Sequence, residues 1–163
     1  MASVDYFLKI DGIDGESADD KHKNEIDVLS WSWGATNEGS MAFGGGGGAG
    51  KVSMQDFHFT MRVNKASPKL MLACANGEHI ANAVLTCRKA GGQQQEFQKV
   101  TFTDILVSSY QAGGSGGGDD VLPVDQISLN FAKIEIEYKP QAADGSLGAA
   151  IKTGYDLKAN KKV

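Results

Sequence analysis

Through most of this chain, apolar and polar residues alternate with the two-residue period of β-strands. Tyr6, Leu8 and Ile10 alternate with Phe7 and Lys9, which predicts a first strand with one largely apolar face. From Asp11 to Asn24 the pattern stops. That stretch is polar and charged, has no amphipathic stripe, and reads as a solvated loop. Alternation resumes at Ile26. Leu29, Trp31 and Trp33 fall on one side of a strand, and Val28, Ser30 and Ser32 on the other. The tryptophans are expected to be buried, because Leu29 is in phase with them. The strand runs into an arm, Glu38 to Lys51, that holds Gly44, Gly45, Gly46, Gly47 and Gly48 in a row. Five consecutive glycines offer no side chains to pack and lose the most backbone entropy on ordering, so the arm is neither helix nor core.

Beyond the arm, Phe57, Phe59, Met61 and Val63 alternate with Asp56, His58, Thr60 and Arg62, a half-buried strand. One helix is predicted, Pro68 to Asn76. Ser67 is its expected N-cap, Pro68 suits the first helical position and Gly77 suits the position after the end. Its apolar stripe is Leu70, Met71 and Cys74, widened by Leu72 and Ala73. A helix this short needs a sheet to lie on. Strands follow at Ala83 to Ala90 and Glu96 to Tyr110. In the second, Val100 and Phe102 are one residue out of phase with Ile105 and Val107, which predicts a bulge near Asp104. Gly113 to Asp120 is a second glycine loop. Ile127, Leu129 and Phe131 alternate, then Ile134, Ile136 and Tyr138 alternate in the opposite phase. Either a bulge near Ala132 or a crossing between packing surfaces explains the change. Pro140 to Ala149 reads as a loop and Ile151 to Leu157 as a last strand. About seven strands, one helix and short glycine connections predict a mainly β fold, a barrel or a tightly packed pair of sheets. No repeat or linker divides the chain, so residues 1–163 are expected to form one domain.

Composition narrows the function. Glycine is 21 of 163 residues against about 7% in ordinary chains. Proline is only 3, so the glycine serves turns and loops and not a disordered linker. A net charge of −4 and a pI of 5.3 give no general attraction to nucleic acid or to anionic membranes. No apolar run approaches the length of a membrane span. The opening MASVDYFLKIDG lacks a basic region followed by an apolar stretch, so it is not read as a secretory signal. The expected compartment is the cytoplasm, where Cys74 and Cys87 are reduced packing residues.

Candidate chemistry is thin. Gly45 to Lys51 matches a phosphate-binding loop up to its last position, which should be Ser or Thr and is Val52. A strand follows it where a helix is needed, so nucleotide binding is not expected. His22, His58 and His79 do not converge with the cysteines in a metal-ligand spacing. No nucleophile elbow is present, and the acid pairs Asp19-Asp20 and Asp119-Asp120 lie in polar loops. These residues point to an interaction protein with no cofactor, no metal and no catalytic residues. The rival from another class is a nucleotide-binding enzyme that uses the glycine arm.

Longer blocks carry a resemblance. MASVDYFLKIDGIDGESADDKHKNEIDVLSWSWG, GSMAFGGGGGAGKVSMQDFHFTM, SPKLMLACANGEHI, LTCRKAGG, ILVSSYQAGGSGGG and ISLNFAKIEIEYKPQAADGS resemble the hemolysin-coregulated protein family, Hcp, from Met1 to about Tyr155. That family supplies the tube subunit of bacterial type VI secretion systems; the near alternative is a tail-tube protein of a phage-like contractile particle. The resemblance implies a small β-barrel of two sheets with one short flanking α-helix. It implies homohexameric rings stacked into a tube, a VgrG-type spike at the tip, a contractile sheath outside and small effectors in the lumen. It implies no nucleic-acid partner and no membrane insertion. The protein would be cytoplasmic at first and then secreted without a signal peptide. The resemblance places the Ser30 and Ser32 side of the tryptophan strand on the ring's inner wall, and Ser115 near the lumen. The arm, with Met41 and Phe43 as apolar anchors, Gly44 to Gly48 and Lys51, is expected to contact the next ring in the stack.

Overall fold

Two long strands organise the molecule. A computed structural model describes residues 4–39, 49–90, 93–117 and 122–163. Within it the strands are β1 (Val4–Ile10), β2 (Ile26–Asp27), β3 (Ser30–Ser32), β4 (Ala35–Gly39), β5 (Ala49–Met54) and β6 (Phe57–Arg62). The helix α1 (Ala66–Asn76) follows, then β7 (Ile80–Lys89), β8 (Glu96–Gly113), β9 (Val124–Tyr138), β10 (Ile151–Asp156) and β11 (Lys161–Lys162). β8 and β9 form one antiparallel ladder. The free edge of β9 is then shared. Val124–Leu129 pairs with β6, and Lys133–Tyr138 pairs with β10. On the far side β8 pairs with β7, and β7 with β1.

The segment from Ile26 to Ser32 joins the two ends of this curled sheet. β2 pairs with β1, the Val28 amide donates to the Tyr6 carbonyl, and the Leu29 amide donates to the Thr60 carbonyl. β3 then pairs with β6. The wrap is barrel-like, although no continuous ladder closes it. The handover explains a departure from the expected pattern. Val28 is buried and Leu29 is 46% exposed, because the chain changes partner strands between them. Trp31 and Trp33 are partly buried against the core, and Trp31 meets the Tyr6 ring edge-on at 5.9 Å. β4 and β5 make a separate two-stranded sheet. The core fills the wrap, with Phe102 between Phe57 at 4.6 Å and Phe131 at 4.9 Å.

The phase breaks in β8 and β9 lie opposite each other. Asp104 has a left-handed φ of 56°. Thr103 still faces Lys133 and Ile105 still faces Phe131, so no residue is inserted there. The left-handed residue, and the change of β9 from β6 to β10 as its partner, turn both strands to a new packing surface. The register shift itself falls between Val107 and Ser109, not at Asp104.

α1 begins two residues before the expected start. Lys65 stands at its N-terminus, and the Asn64 side chain before it accepts the Ala66 amide on Oδ1 at 2.7 Å. Ser67 is not the cap: it is buried, and its hydroxyl donates to Asp125 Oδ2 at 2.6 Å. Gly77 ends the helix in the left-handed region, φ 65°, its amide bonded to the Ala73 carbonyl. The inward face is Ala66, Ser67, Leu70 and Ala73; Met71 and Leu72, expected in the stripe, are 51% and 57% exposed.

The stretch from Asp11 to Asn24 is not a solvated loop. It is a strap across β1 and β7, with Ile13, Ser17 and His22 buried. Its backbone pairs with itself: Gly15 and Ser17 amides donate to the Asn24 and Glu25 carbonyls. Asp19 grips the Arg88 guanidinium through two bonds of 2.8 and 2.9 Å, and Asp5 adds a third at 3.2 Å. Arg88 also lies over the Phe7 ring at 4.7 Å. His22 stacks on Phe7 at 4.4 Å and bonds Glu25 and Glu96 through its two ring nitrogens. Asp19 is thus an ion-pair partner, where the sequence suggested a solvated acid.

Candidate functional site

Four strands, β3, β6, β9 and β8, lie side by side with the core behind them and a polar face in front. The two-residue period dictates this. Phe57, Phe59 and Met61 turn inward from β6, so His58, Thr60 and Arg62 turn outward. Ile127 and Leu129 turn inward from β9, so Gln126 and Ser128 face out. Register aligns the outward residues in rows. One row runs Ser30, Thr60, Gln126 and Gln111; the next runs Ser32, His58, Ser128 and Ser109.

The rows are tied sideways. Ser30 Oγ and Thr60 Oγ1 are 2.7 Å apart, and His58 Nδ1 and Ser128 Oγ are 2.6 Å apart. At the edge of the face, Asp56 accepts from Ser108 Oγ at 2.6 Å and from Asn130 Nδ2 at 2.9 Å. The rows line a shallow, open hollow of about 410 Å³. It is lined mostly by hydroxyls and amides, two pairs of which are bonded to each other, so it presents a polar surface. His58 touches a serine, but among the described residues no acid orients the ring, which a nucleophile–base arrangement would need. Among the described residues no group of His, Cys, Asp or Glu could hold a metal ion.

The sequence placed Ser30 and Ser32 on one side of a strand, and both are exposed in this hollow. Ser115 follows β8 and is exposed in an adjoining hollow with Gly113, Gly114 and Leu122, which shares Gln126 with the first. The face thus brings together Ser30, Ser32 and the neighbourhood of Ser115. Lys51 lies elsewhere, exposed on β5 in the separate hairpin, and no helix follows it. Met41, Phe43 and Gly44, Gly45, Gly46, Gly47 and Gly48 fall outside the described residues. His58, Thr60, Gln126 and Ser128 were not singled out from the sequence. Their alternation with apolar residues was visible, but alternation alone does not say which polar faces adjoin.

Support for the face comes from beneath. Asp125 is fully buried and meets Ser67 in the first turn of α1, where a helix favours negative charge. Burial first, and then the Asp125 carboxylate, push the Tyr110 phenol above its ordinary range. The helix is thereby fastened behind β8 and β9.

Comparison with known proteins gives a consistent answer. Residues 7–138 match the family model for "Type VI secretion system effector, Hcp". The chain is 49% identical to protein hcp1 of Pseudomonas aeruginosa over 160 residues, 97% of this chain and 98% of that one. It resembles the crystal structure of Hcp1 from Salmonella typhimurium, with 43% identity, a TM-score of 0.83, and 99% of this chain and 100% of that one covered. It also resembles a solved type six secretion system protein, with 37% identity and a TM-score of 0.90 over 98% of this chain and 99% of that one. The fold, a mainly β wrap with a second small sheet and one flanking helix, agrees with these structures. The chain belongs to the Hcp family of the type VI secretion system.

Proposed function

We propose that this chain is a tube subunit that closes into six-membered rings with the polar face turned inward. The observation that carries this reading is the four-stranded face itself. Both of its lateral edges end open. Among the described residues, β3 pairs only with β6, and β8 beyond Ile105 has no strand partner on the β7 side. Open edges of this kind invite pairing with another chain. Joining the β3 edge of one copy to the β8 edge of the next is a head-to-tail contact, and such contacts close into rings when the rotation allows. The polar rows then form a continuous inner wall.

The wall would hold cargo weakly, since it offers mostly hydroxyls and amides and no deep pocket. Ser30, Ser32 and Ser115 are its contact residues for small effectors. Rings stack into a tube, with the arm from Glu38 to Lys51 reaching the next ring. A VgrG-type spike at the tip and a contractile sheath outside complete the assembly, which leaves the cell as a secreted particle. No helix among the described residues is long and apolar enough to cross a membrane. The role is structural, and no step of it needs catalysis. Native mass spectrometry tests the reading: the particle should weigh six subunits of 17.2 kDa. A monomer persisting at micromolar concentration would sink it.

A further inference from the structure

The polar face carries few charges, and among the described residues no ion pair joins them. β3, β8 and β9 contribute hydroxyls, amides, a valine, a glycine and, at the edge beside Asn130, Leu106, but no ionisable group. Its ionisable side chains come from one stretch, Asp56, His58 and Arg62. Both oxygens of Asp56 are already engaged by Ser108 and Asn130. Arg62 is exposed, and the residues facing it across the ladder are Val124 and then Gly113. Among the described residues no carboxylate pairs with it. His58 lies between them, with Nδ1 on the Ser128 hydroxyl.

From this we infer that the face prefers cargo segments rich in Asp and Glu. The inference rests on the reading that this face receives cargo, and adds the chemistry that selects it. Arg62 supplies a fixed cation whose planar fork matches a carboxylate. His58 Nδ1 and the Ser128 hydroxyl share a hydrogen bond of 2.6 Å, and the exposed ring offers its other nitrogen, Nε2, to a ligand. The flanking serines and glutamines hydrogen-bond the backbone of an extended segment. Closed into a ring, the face repeats Arg62 around the wall, so weak contacts act together. An acidic protein segment fits better than nucleic acid, because among the described residues the face offers no exposed aromatic ring for base stacking and one fixed cation.

The test uses the assembled protein and fluorescent peptides of alternating Gly-Glu, Gly-Lys and Gly-Ser, with an oligothymidylate strand as a polyanion control. The Gly-Glu peptide should bind best, and raising the salt should weaken it. Arg62→Gln should weaken that peptide about fivefold, the scale of one exposed ion pair, and leave Gly-Ser unchanged. Arg62→Lys should restore part of the loss, and Arg62→Glu should favour Gly-Lys. Equal binding of all three peptides, reduced throughout by Ser32→Gln, would overturn the acid preference while leaving the cargo face intact. Binding of Gly-Glu that ignores Arg62→Gln overturns the inference by placing the site elsewhere. Tighter binding of the oligothymidylate than of Gly-Glu overturns the choice of a protein partner. No binding of any peptide overturns both the preference and the cargo reading.

Discussion

At the scale of single residues, the strongest constraint is Arg88, which is 2% exposed with its charge met by Asp19 and Asp5. A buried guanidinium deprived of its main partner is costly, so Asp19→Asn should destabilise the fold by about 2 kcal/mol in urea titration. The hydrogen bond from Arg88 is the chief reason that the Asp19 carboxyl falls from 3.8 to about 2. A carboxyl depressed in the folded state stabilises fully above its unfolded value. Its contribution is lost as pH falls through the folded value. Wild-type stability should therefore drop between about pH 4 and pH 2 more steeply than that of Asp19→Asn, whose curve lacks this group. Parallel curves would show that the ion pair does not hold the strap. The cysteines give a second check. Burial pushes the Cys87 thiol up to about 11, while Cys74 is half-exposed on the helix. Maleimide at neutral pH should add once to the native protein, at Cys74, and twice in denaturant, as read by mass spectrometry. Two native adducts would mean that β1 and β7 open around Cys87.

At the scale of elements, what was legible in the sequence divides by physical cause. Strands with one clean face, such as β6, were plain because Phe57, Phe59 and Met61 share a single core. The helix end was plain because Gly77 takes a conformation that favours glycine. Its start was missed because Asn64, and not Ser67, receives the Ala66 amide ahead of the first turn, while Ser67 serves the buried Asp125. The strap was missed for another reason. Ile13, Gly15 and Ser17 are buried at the strand period, but two of the three are small and one is polar, so apolarity gave no signal. At Gly15 there is no room for more, since an added Cβ would lie 2.5 Å from the Glu25 carbonyl oxygen. Leu29 was misplaced because no local pattern announces a handover between partner strands. Of the polar face, the two serines were readable on one strand, whereas its other residues needed the register of β6, β9 and β8. The hairpin of β4 and β5 is a different case. β4 is exposed along its whole length, and the proposed arm follows it. Deleting Gly44 to Gly48 should leave the ring mass unchanged and reduce tube formation in negative-stain micrographs. If both measurements stay at wild-type levels, the arm does not join rings.

At the scale of the whole molecule, the proposal stands on one separation: the β3, β6, β9 and β8 layer has core on one side and cargo on the other, so changes on its outer side should alter transport and not assembly. Ser32 is the sharpest place to cut. It is exposed, its strand neighbour is Trp31, which packs on the core, and its cross-strand partner is His58 in the middle of the face. Ser32→Gln adds bulk to the polar rows. Ser115→Gln does so in the adjoining hollow, at an exposed site. Exposed substitutions away from special backbone geometry change stability by about 0.5 kcal/mol or less, so both variants should fold and reach the six-subunit mass. Co-purification of a small effector should fall in both, more for Ser32→Gln because it stands beside His58 on the four-stranded face. The diagnostic result is the split between the two readouts. Loss of cargo at constant mass assigns the face to transport. Loss of mass would mean that Ser32 belongs to the joint between subunits, moving the ring contact from the β3 edge onto its outward face. Unchanged cargo at constant mass would turn the whole layer around, with the polar rows on the outside of the ring.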